Sequence, residues 1–120
     1  MTTLYGITNC DTVRKARRWL DAHHIAYTFH DYREQGLAPE LLTAWSARAG
    51  WQQLLNKRSR AWRETEAAKG EELDEHTATA LMLQNPTLIK RPVLSHGDGI
   101  QVGFDEEAYR RLLGLQTPAD

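Results

Sequence analysis

One cysteine, Cys10, occurs among the 120 residues of the chain, and it is the residue best suited to covalent chemistry. The strand predicted over residues 3–7 runs through Thr8 and Asn9 into a helix predicted to begin near Asp11. The unpaired N–H groups and the positive dipole end of such a helix favour a thiolate over a thiol. Cys10 is therefore a candidate nucleophile. The alternative is a small apolar residue that fills space, because unpaired cysteines are among the most buried residues.

Cations near the cysteine favour the reactive interpretation. Arg14 lies one turn further along the predicted helix on the side of Cys10, and Lys15 follows it. Positive charge close to a sulfur stabilises its ionised form. Asp11 opposes this with a local negative charge, so the balance depends on which side chains face the sulfur.

Length and composition indicate one globular domain that needs no disulfide. A chain of 120 residues can bury a core by itself, and one cysteine cannot form an internal disulfide. The 15 basic and 16 acidic residues leave a net charge of −1, which gives no general field for binding nucleic acid or an anionic membrane. With no membrane-length apolar run and no leader pattern, we expect a soluble cytoplasmic protein, where thiols stay reduced.

Hydrophobic periodicity predicts an α/β order that opens with strand, helix and strand. The strands over 3–7 and 26–32 flank a helix with one apolar stripe, so we expect them to be parallel. Gly36 then breaks the chain, and Pro39 suits the first turn of a following helix. The middle of the chain is predicted to be a helical insert.

Further elements are predicted after the insert. Val93 to His96 and Ile100 to Val102 are expected to pair as an antiparallel hairpin around the turn 97–99, and Asp105 is expected to cap a last helix. The whole order is that of a thioredoxin-like domain, with a βαβ half, a ββα half and an insertion between them.

Three segments carry a resemblance to the arsenate reductase (ArsC) family, and it spans nearly the whole chain. They are residues 9–14 (Asn-Cys-Asp-Thr-Val-Arg), 54–58 (Leu-Leu-Asn-Lys-Arg) and 85–94 (Asn-Pro-Thr-Leu-Ile-Lys-Arg-Pro-Val-Leu). Within the family the chain is most similar to the YffB-type branch. It also resembles the Spx/MgsR-type regulators, through Gly103-Phe104 and the segment around Arg58.

The resemblance implies a single ArsC-like domain with a mixed four-stranded sheet. Its thioredoxin-like core would cover about residues 1–35 and 86–116, with the helical insert over about 37–84. Pro92 would be cis, which would place Arg91 beside Cys10. The implied catalytic residues are Cys10, Arg14 and Arg91, and the implied substrate-binding residues are Asn9, Thr12, Arg58 and Pro92.

Departures from the arsenate reductase pattern bear on the reaction. By resemblance, those enzymes have a histidine four positions before the cysteine and a serine three positions after it, where this chain has Gly6 and Val13. The first insert arginine aligns with Asn56, although Arg58 is near, and the last arginine aligns with Phe104. The arsenate site is therefore expected to be largely dismantled.

The remaining features favour attack on sulfur over capture of a tetrahedral oxyanion. We expect a glutathione-dependent thiol reductase, because the planar fork of an arginine binds carboxylates and glutathione carries two of them. An external thiol must resolve the intermediate, since the chain has no second cysteine. This chemistry needs no metal or flavin, and the five histidines show no metal-ligand spacing.

Two other functions remain open at this point. The resemblance to Spx implies a module that binds RNA polymerase without catalysis. Regulators of that kind commonly sense oxidation through a pair of cysteines, and Val13 stands at the position of the second one. Arsenate reduction is the weaker third alternative.

Overall fold

The structure, a computed structural model, describes residues 1–65, 68, 70 and 72–115. It divides into two compact units, one formed by Met1–Gln35 with the chain from Arg91 onward, and one formed by Gly36–Lys90. The segment 86–90 belongs to the second unit. The ranges expected for core and insert also include residues 66, 67, 69, 71 and 116, which lie outside the described residues.

Both units are built from short elements joined by tight turns. In chain order these are β1 (Thr2–Gly6), α1 (Asp11–Ala22), β2 (Thr28–Asp31), α2 (Tyr32–Gln35), α3 (Pro39–Ala49), α4 (Trp51–Leu54), α5 (Arg60–Arg63), α6 (Glu75–Gln84), a 3-10 turn (Pro86–Leu88), β3 (Val93–His96), β4 (Gly99–Val102) and α7 (Glu106–Leu113).

The four strands of the first unit form one mixed sheet. Their order is β2-β1-β3-β4; β1 pairs with β2 in parallel, whereas β1 with β3 and β3 with β4 are antiparallel. The parallel pair is connected through α1, because parallel neighbours need a crossover. This is a thioredoxin-like fold with a helical insertion, and the predicted fold class is confirmed.

Packing of α1 on the sheet forms the core of the first unit. Leu4 of β1 and the apolar stripe of α1 are fully buried, and the stripe includes Val13, Ala16 and Leu20. Trp19 completes this face and contacts Phe104 and Tyr109 edge to face, with ring centroids 6.5 and 5.7 Å away. The stripe therefore fixes how α1 faces the sheet.

The C-terminal hairpin and helix follow their sequence signals. Gly97 adopts a φ of 57° in the turn between β3 and β4, a conformation that suits glycine. The carboxylate of Asp105 accepts a hydrogen bond from the Glu107 N–H at 3.0 Å and so caps α7. The predicted hairpin and cap are confirmed.

The second unit is helical. Pro39 occupies the first turn of α3, and Gly50 ends that helix with a φ of 86°. Asp74 and Thr77 form a capping box at the start of α6. Buried side chains from α3, α4 and α6 make the interior of this unit: Leu42, Trp45, Leu54, Ala78 and Met82.

The second strand is shorter than expected. It covers Thr28–Asp31 and not 26–32, and Tyr32 is the first residue of α2. The carboxylate of Asp31 accepts a hydrogen bond from the Arg33 N–H at 2.9 Å, so its side chain turns the backbone from strand into helix. Among the described residues, no helix has the length and apolar character needed to cross a membrane.

Leu20→Ala tests the packing of α1 on the sheet. Leu20 is fully buried in the core of the first unit, so the substitution is expected to lower the free energy of unfolding by about 2–5 kcal/mol. Arg18→Ala on the exposed face of the same helix is the control, with an expected change within about 0.5 kcal/mol. Urea titrations followed by far-ultraviolet circular dichroism measure both, and similar midpoints would contradict this packing.

Candidate functional site

Cys10 is the residue immediately before α1 and acts as its N-cap position. Its backbone is extended, with φ −124° and ψ 125°, and its carbonyl accepts the first helical hydrogen bond from the Arg14 N–H at 3.0 Å. Its side chain makes no capping hydrogen bond to the described part of the helix and is half-buried. The sulfur thus lies at the positive end of a helix of 12 residues, as predicted.

Three segments meet at the same end of the sheet. Because β1 and β2 are parallel and Gly6 is opposite Asp31, the residues that follow both strands emerge together, and they include Cys10 and Tyr32. Strand β3 runs the other way with Val93 opposite Tyr5, so the residues that precede it reach this end too. Arg91 is among those residues.

Arg91 and Cys10 both act on the buried phenol of Tyr32. Burial raises the pKa of Tyr32 to about 12; the nearby Arg91 opposes this rise, and charge on Cys10 and Asp31 adds to it. Tyr32 is only 2% exposed. The phenol therefore lies within electrostatic reach of both the predicted nucleophile and the predicted cation, which supports the expected grouping of Arg91 with Cys10.

Tyr32 is a site residue that the sequence reasoning missed. The strand pattern over 26–32 predicts it as the last residue of β2, whereas it begins α2. The sequence signal that could have identified Tyr32 is its position directly after the carboxyl end of a parallel strand. Side chains at such strand ends line the binding sites of α/β proteins. Asp31 just before it, a turn-forming residue, indicates where the strand ends.

Arg14 is engaged by its neighbour Asp11. The guanidinium and the carboxylate form a close ion pair on the exposed face of the first turn. The hydrogen bond from Arg14, together with its charge, lowers the pKa of the Asp11 carboxyl. This pairing offsets part of the positive charge near the sulfur, and the catalytic role of Arg14 stays a prediction.

The other predicted binding residues of the first unit lie around the same end of the sheet. Asn9 is exposed, and its side-chain oxygen accepts a hydrogen bond from Arg33 of α2 at 3.4 Å. Thr12 is exposed in the first turn of α1. The peptide bond between Arg91 and Pro92 is cis, as predicted, and the Pro92 carbonyl accepts from the Gly103 N–H at 2.8 Å.

Arg58 belongs to the second unit. It is exposed in the turn before α5, and its backbone N–H donates to the side-chain oxygen of Asn56 at 3.1 Å. The ammonium of the neighbouring Lys57 lies 5.5 Å from the ring centre of Trp62. The role of Arg58 in substrate binding stays a prediction.

Gly6 and Val13 flank the cysteine in sequence, and both depart from the arsenate reductase pattern. In the structure the two residues are in direct contact. A Cβ atom added to Gly6 would lie 2.8 Å from a methyl carbon of Val13, which is closer than real Cβ atoms approach. Val13 itself is fully buried. The valine thus occupies the space that the Cβ atom of any other residue at position 6 would need. A histidine at position 6 would therefore require either a shift of α1 or a smaller residue at position 13.

Asn56 and Phe104, the two other departures from the arsenate reductase pattern, have structural roles in this chain. The N–H of Asn56 donates to the Leu88 carbonyl at 2.8 Å, and its side chain accepts from the N–H of Arg58 in the following turn. The ring of Phe104 packs edge to face on Tyr109 with centroids 5.1 Å apart. These positions are occupied by turn and core contacts and supply no positive charge.

The described residues contain no group of three or more His, Cys, Asp or Glu side chains that could hold a metal ion. The donors grouped at this end of the sheet are a thiol, a phenol and a guanidinium. Such a set suits nucleophilic chemistry on sulfur, in which a cation and a hydrogen-bond donor stabilise negative charge.

Comparison with known proteins agrees with this fold. A model of the ArsC family matches residues 5–112, and the chain belongs to that family. It is similar to the solved YffB (PA3664) protein, with 47% identity, a TM-score of 0.89, and coverage of 94% of this chain and 99% of that one.

Two further matches extend the comparison. The solution structure of an arsenate reductase (ArsC) related protein from Brucella melitensis is 40% identical, with a TM-score of 0.73 and 95% of each chain covered. The global transcriptional regulator Spx of Streptococcus agalactiae serotype V is 31% identical over 115 residues, covering 94% of this chain and 83% of Spx. The family and these relatives support a thiol reductase or an Spx-like regulator.

A double-mutant cycle tests the contact between Gly6 and Val13. Gly6→Ala overpacks the interface of β1 with α1 and is expected to cost about 1–3 kcal/mol of unfolding free energy in the native background. In a Val13→Ala background the same change should cost at least about 0.5 kcal/mol less, because the methyl carbons that the new Cβ meets are gone. Urea unfolding of the four proteins measures the coupling. Additive effects would contradict the contact.

Proposed function

We propose that the protein is a glutathione-dependent thiol-disulfide reductase with Cys10 as its single nucleophile. The observation that carries this proposal is the half-buried sulfur before α1, at the end of the sheet where Arg91 and Tyr32 also lie. A reduced thiol is the working form, so we place the protein in the cytoplasm, where thiols stay reduced.

The proposed reaction proceeds by two thiol-disulfide exchanges. The Cys10 thiolate attacks the glutathione sulfur of a mixed disulfide, forming a bond between Cys10 and glutathione while the substrate leaves as a thiolate and takes up a proton from water. A second glutathione, as thiolate, then attacks the sulfur of the bound glutathione. Oxidised glutathione leaves and the Cys10 thiolate is restored. The external thiol is required because the chain contains no other cysteine.

Arg91 has the leading electrostatic role in this proposal. Its half-buried guanidinium stabilises negative charge on the sulfur atoms and binds a glutathione carboxylate through its planar fork. Arg14 supplies further positive charge, and Asn9, Thr12 and Pro92 contact the bound glutathione.

Treatment with oxidised glutathione tests the reaction. Intact mass spectrometry should show one glutathionyl group added per chain, and Cys10→Ser should show none. Arg91→Ala should slow adduct formation by about tenfold or more, since a hydrogen bond to a charged group contributes about 1.5–3 kcal/mol. Arg91→Lys, which keeps the charge without the fork, should recover part of the rate.

Arg111→Ala, an exposed change in α7, is the matched control and should leave the rate unchanged. Circular dichroism establishes that each variant is folded. If folded wild-type protein gains no glutathionyl adduct, the proposed function is wrong. If Arg91→Ala forms the adduct as fast as wild type, only the role assigned to Arg91 is wrong.

A noncatalytic regulator is the second candidate, and the similarity to Spx across most of the chain favours it. This candidate predicts that the purified chain binds RNA polymerase and that Cys10→Ser binds equally well, because no nucleophile is needed. The reductase proposal predicts no stable complex. Gel filtration of the chain with bacterial core RNA polymerase separates the two, and co-elution of both wild type and Cys10→Ser would favour the regulator.

A further inference from the structure

The side chain of Tyr32 has a buried hydroxyl whose proton has no acceptor. Among the described residues no group hydrogen bonds to it as an acceptor, although the side chain is 2% exposed. Arginine side chains only donate, so Arg91, whose charge acts on Tyr32, cannot accept the O–H proton. Buried polar groups are normally hydrogen bonded, so this donor needs an explanation.

The charges around Tyr32 distinguish it from the other buried phenol of the same unit. Tyr109 is also fully buried and its hydroxyl also has no acceptor among the described residues, yet its pKa is raised by burial alone. Tyr32 is subject to charge from Arg91, Cys10 and Asp31. It is therefore the buried phenol whose donor lies near a predicted reactive group.

The topology accounts for the position of this donor. Tyr32 follows β2 directly and Cys10 follows β1 after three residues, and these parallel strands end side by side with Gly6 opposite Asp31. Arg33, the residue after Tyr32, donates to Asn9, the residue before Cys10, at 3.4 Å. The residues before Cys10 are thus joined to the chain around Tyr32 by strand pairing at Asp31 and by this hydrogen bond at Arg33.

We propose that the acceptor for the Tyr32 hydroxyl is the ionised sulfur of Cys10, which makes Tyr32 a catalytic hydrogen-bond donor. Tyr32 is buried and Cys10 is half-buried, so the phenol would serve the sulfur while part of Cys10 stays open to substrate. This role rests on the proposed thiol chemistry only in that Cys10 must react as a thiolate.

The chemistry of a phenol suits this task. Burial raises the pKa of Tyr32 to about 12, so the group keeps its proton at neutral pH and donates without ionising. No proton is transferred: the hydrogen bond forms when Cys10 has lost its own proton to water, and it persists until the sulfur attacks. The donor therefore stabilises the thiolate form of Cys10 in the proposed reaction.

Alkylation of Cys10 by iodoacetamide tests the donor independently of glutathione. Tyr32→Phe removes only the hydroxyl and should slow alkylation at pH 7 by about fivefold, the effect of one modest hydrogen bond. The difference should shrink at high pH, where the thiol of both proteins is ionised. Tyr109→Phe removes the matched hydroxyl and should alkylate like wild type at every pH.

The outcomes separate this inference from the proposed function. Equal alkylation of wild type and Tyr32→Phe at pH 7, or equal slowing by Tyr32→Phe and Tyr109→Phe, would overturn the donor. If oxidised glutathione adds to wild type while Tyr32→Phe alkylates normally, the reductase proposal stands and the donor role is wrong. If no glutathione adds yet Tyr32→Phe slows alkylation selectively, the donor stands and the reductase proposal is wrong.

A measurement on the unsubstituted protein keeps the inference testable if Tyr32→Phe fails to fold. Raising the pH through the ionisation of Cys10 should shift the Cζ resonance of Tyr32 in a carbon-13 spectrum, and alkylation of Cys10 should remove that shift. Tyr109 provides the internal reference and should not respond to alkylation. A Tyr32 resonance that is insensitive to alkylation would overturn the donor.

Discussion

The close approach of α1 to β1 at Gly6 is the contact on which the site depends. A glycine at this position leaves room for the methyl carbons of Val13, and the buried stripe of α1 then packs directly on the sheet. Cys10 lies in the short connection between the two elements, so its place is set by how closely they pack. The contact therefore determines at once the core of the first unit and the location of the sulfur.

Pairing within the sheet brings the partners of the sulfur to it. Strand β1 lies between a parallel neighbour and an antiparallel one, so the connection after β1, the residue after β2 and the residues before β3 share one end of the sheet. Arg91 is 81 positions from Cys10 in sequence, and only this pairing brings the cation towards the thiol. A one-residue slip of β3 would reverse the faces of its side chains.

Local signals explain which parts of the structure could be predicted from sequence. The apolar stripe of α1, the cap at Asp105 and the turn at Gly97 each depend on residues a few positions apart, and all were predicted. The end of β2 was not, because a run of strand-forming residues continues to Tyr32 while the carboxylate of Asp31 turns the chain. The spacing of Asp11 and Arg14, three positions apart on α1, permits their ion pair but does not require it. The grouping of Arg91 with Cys10 came from family resemblance, since no local pattern contains it.

The residues around the thiol explain why sulfur is a more suitable target than an oxyanion. A tetrahedral oxyanion is held by several donors that converge from different sides, whereas in the first unit Val13 covers Gly6 and Phe104 packs in the core. Neither position presents a cation. A thiolate that attacks a disulfide requires less: one stabilised negative charge, one open side and a route for the leaving sulfur. In the proposed reaction Arg91 and the buried phenol of Tyr32 provide this stabilisation, and the half-buried Cys10 keeps exposed surface for a thiol substrate.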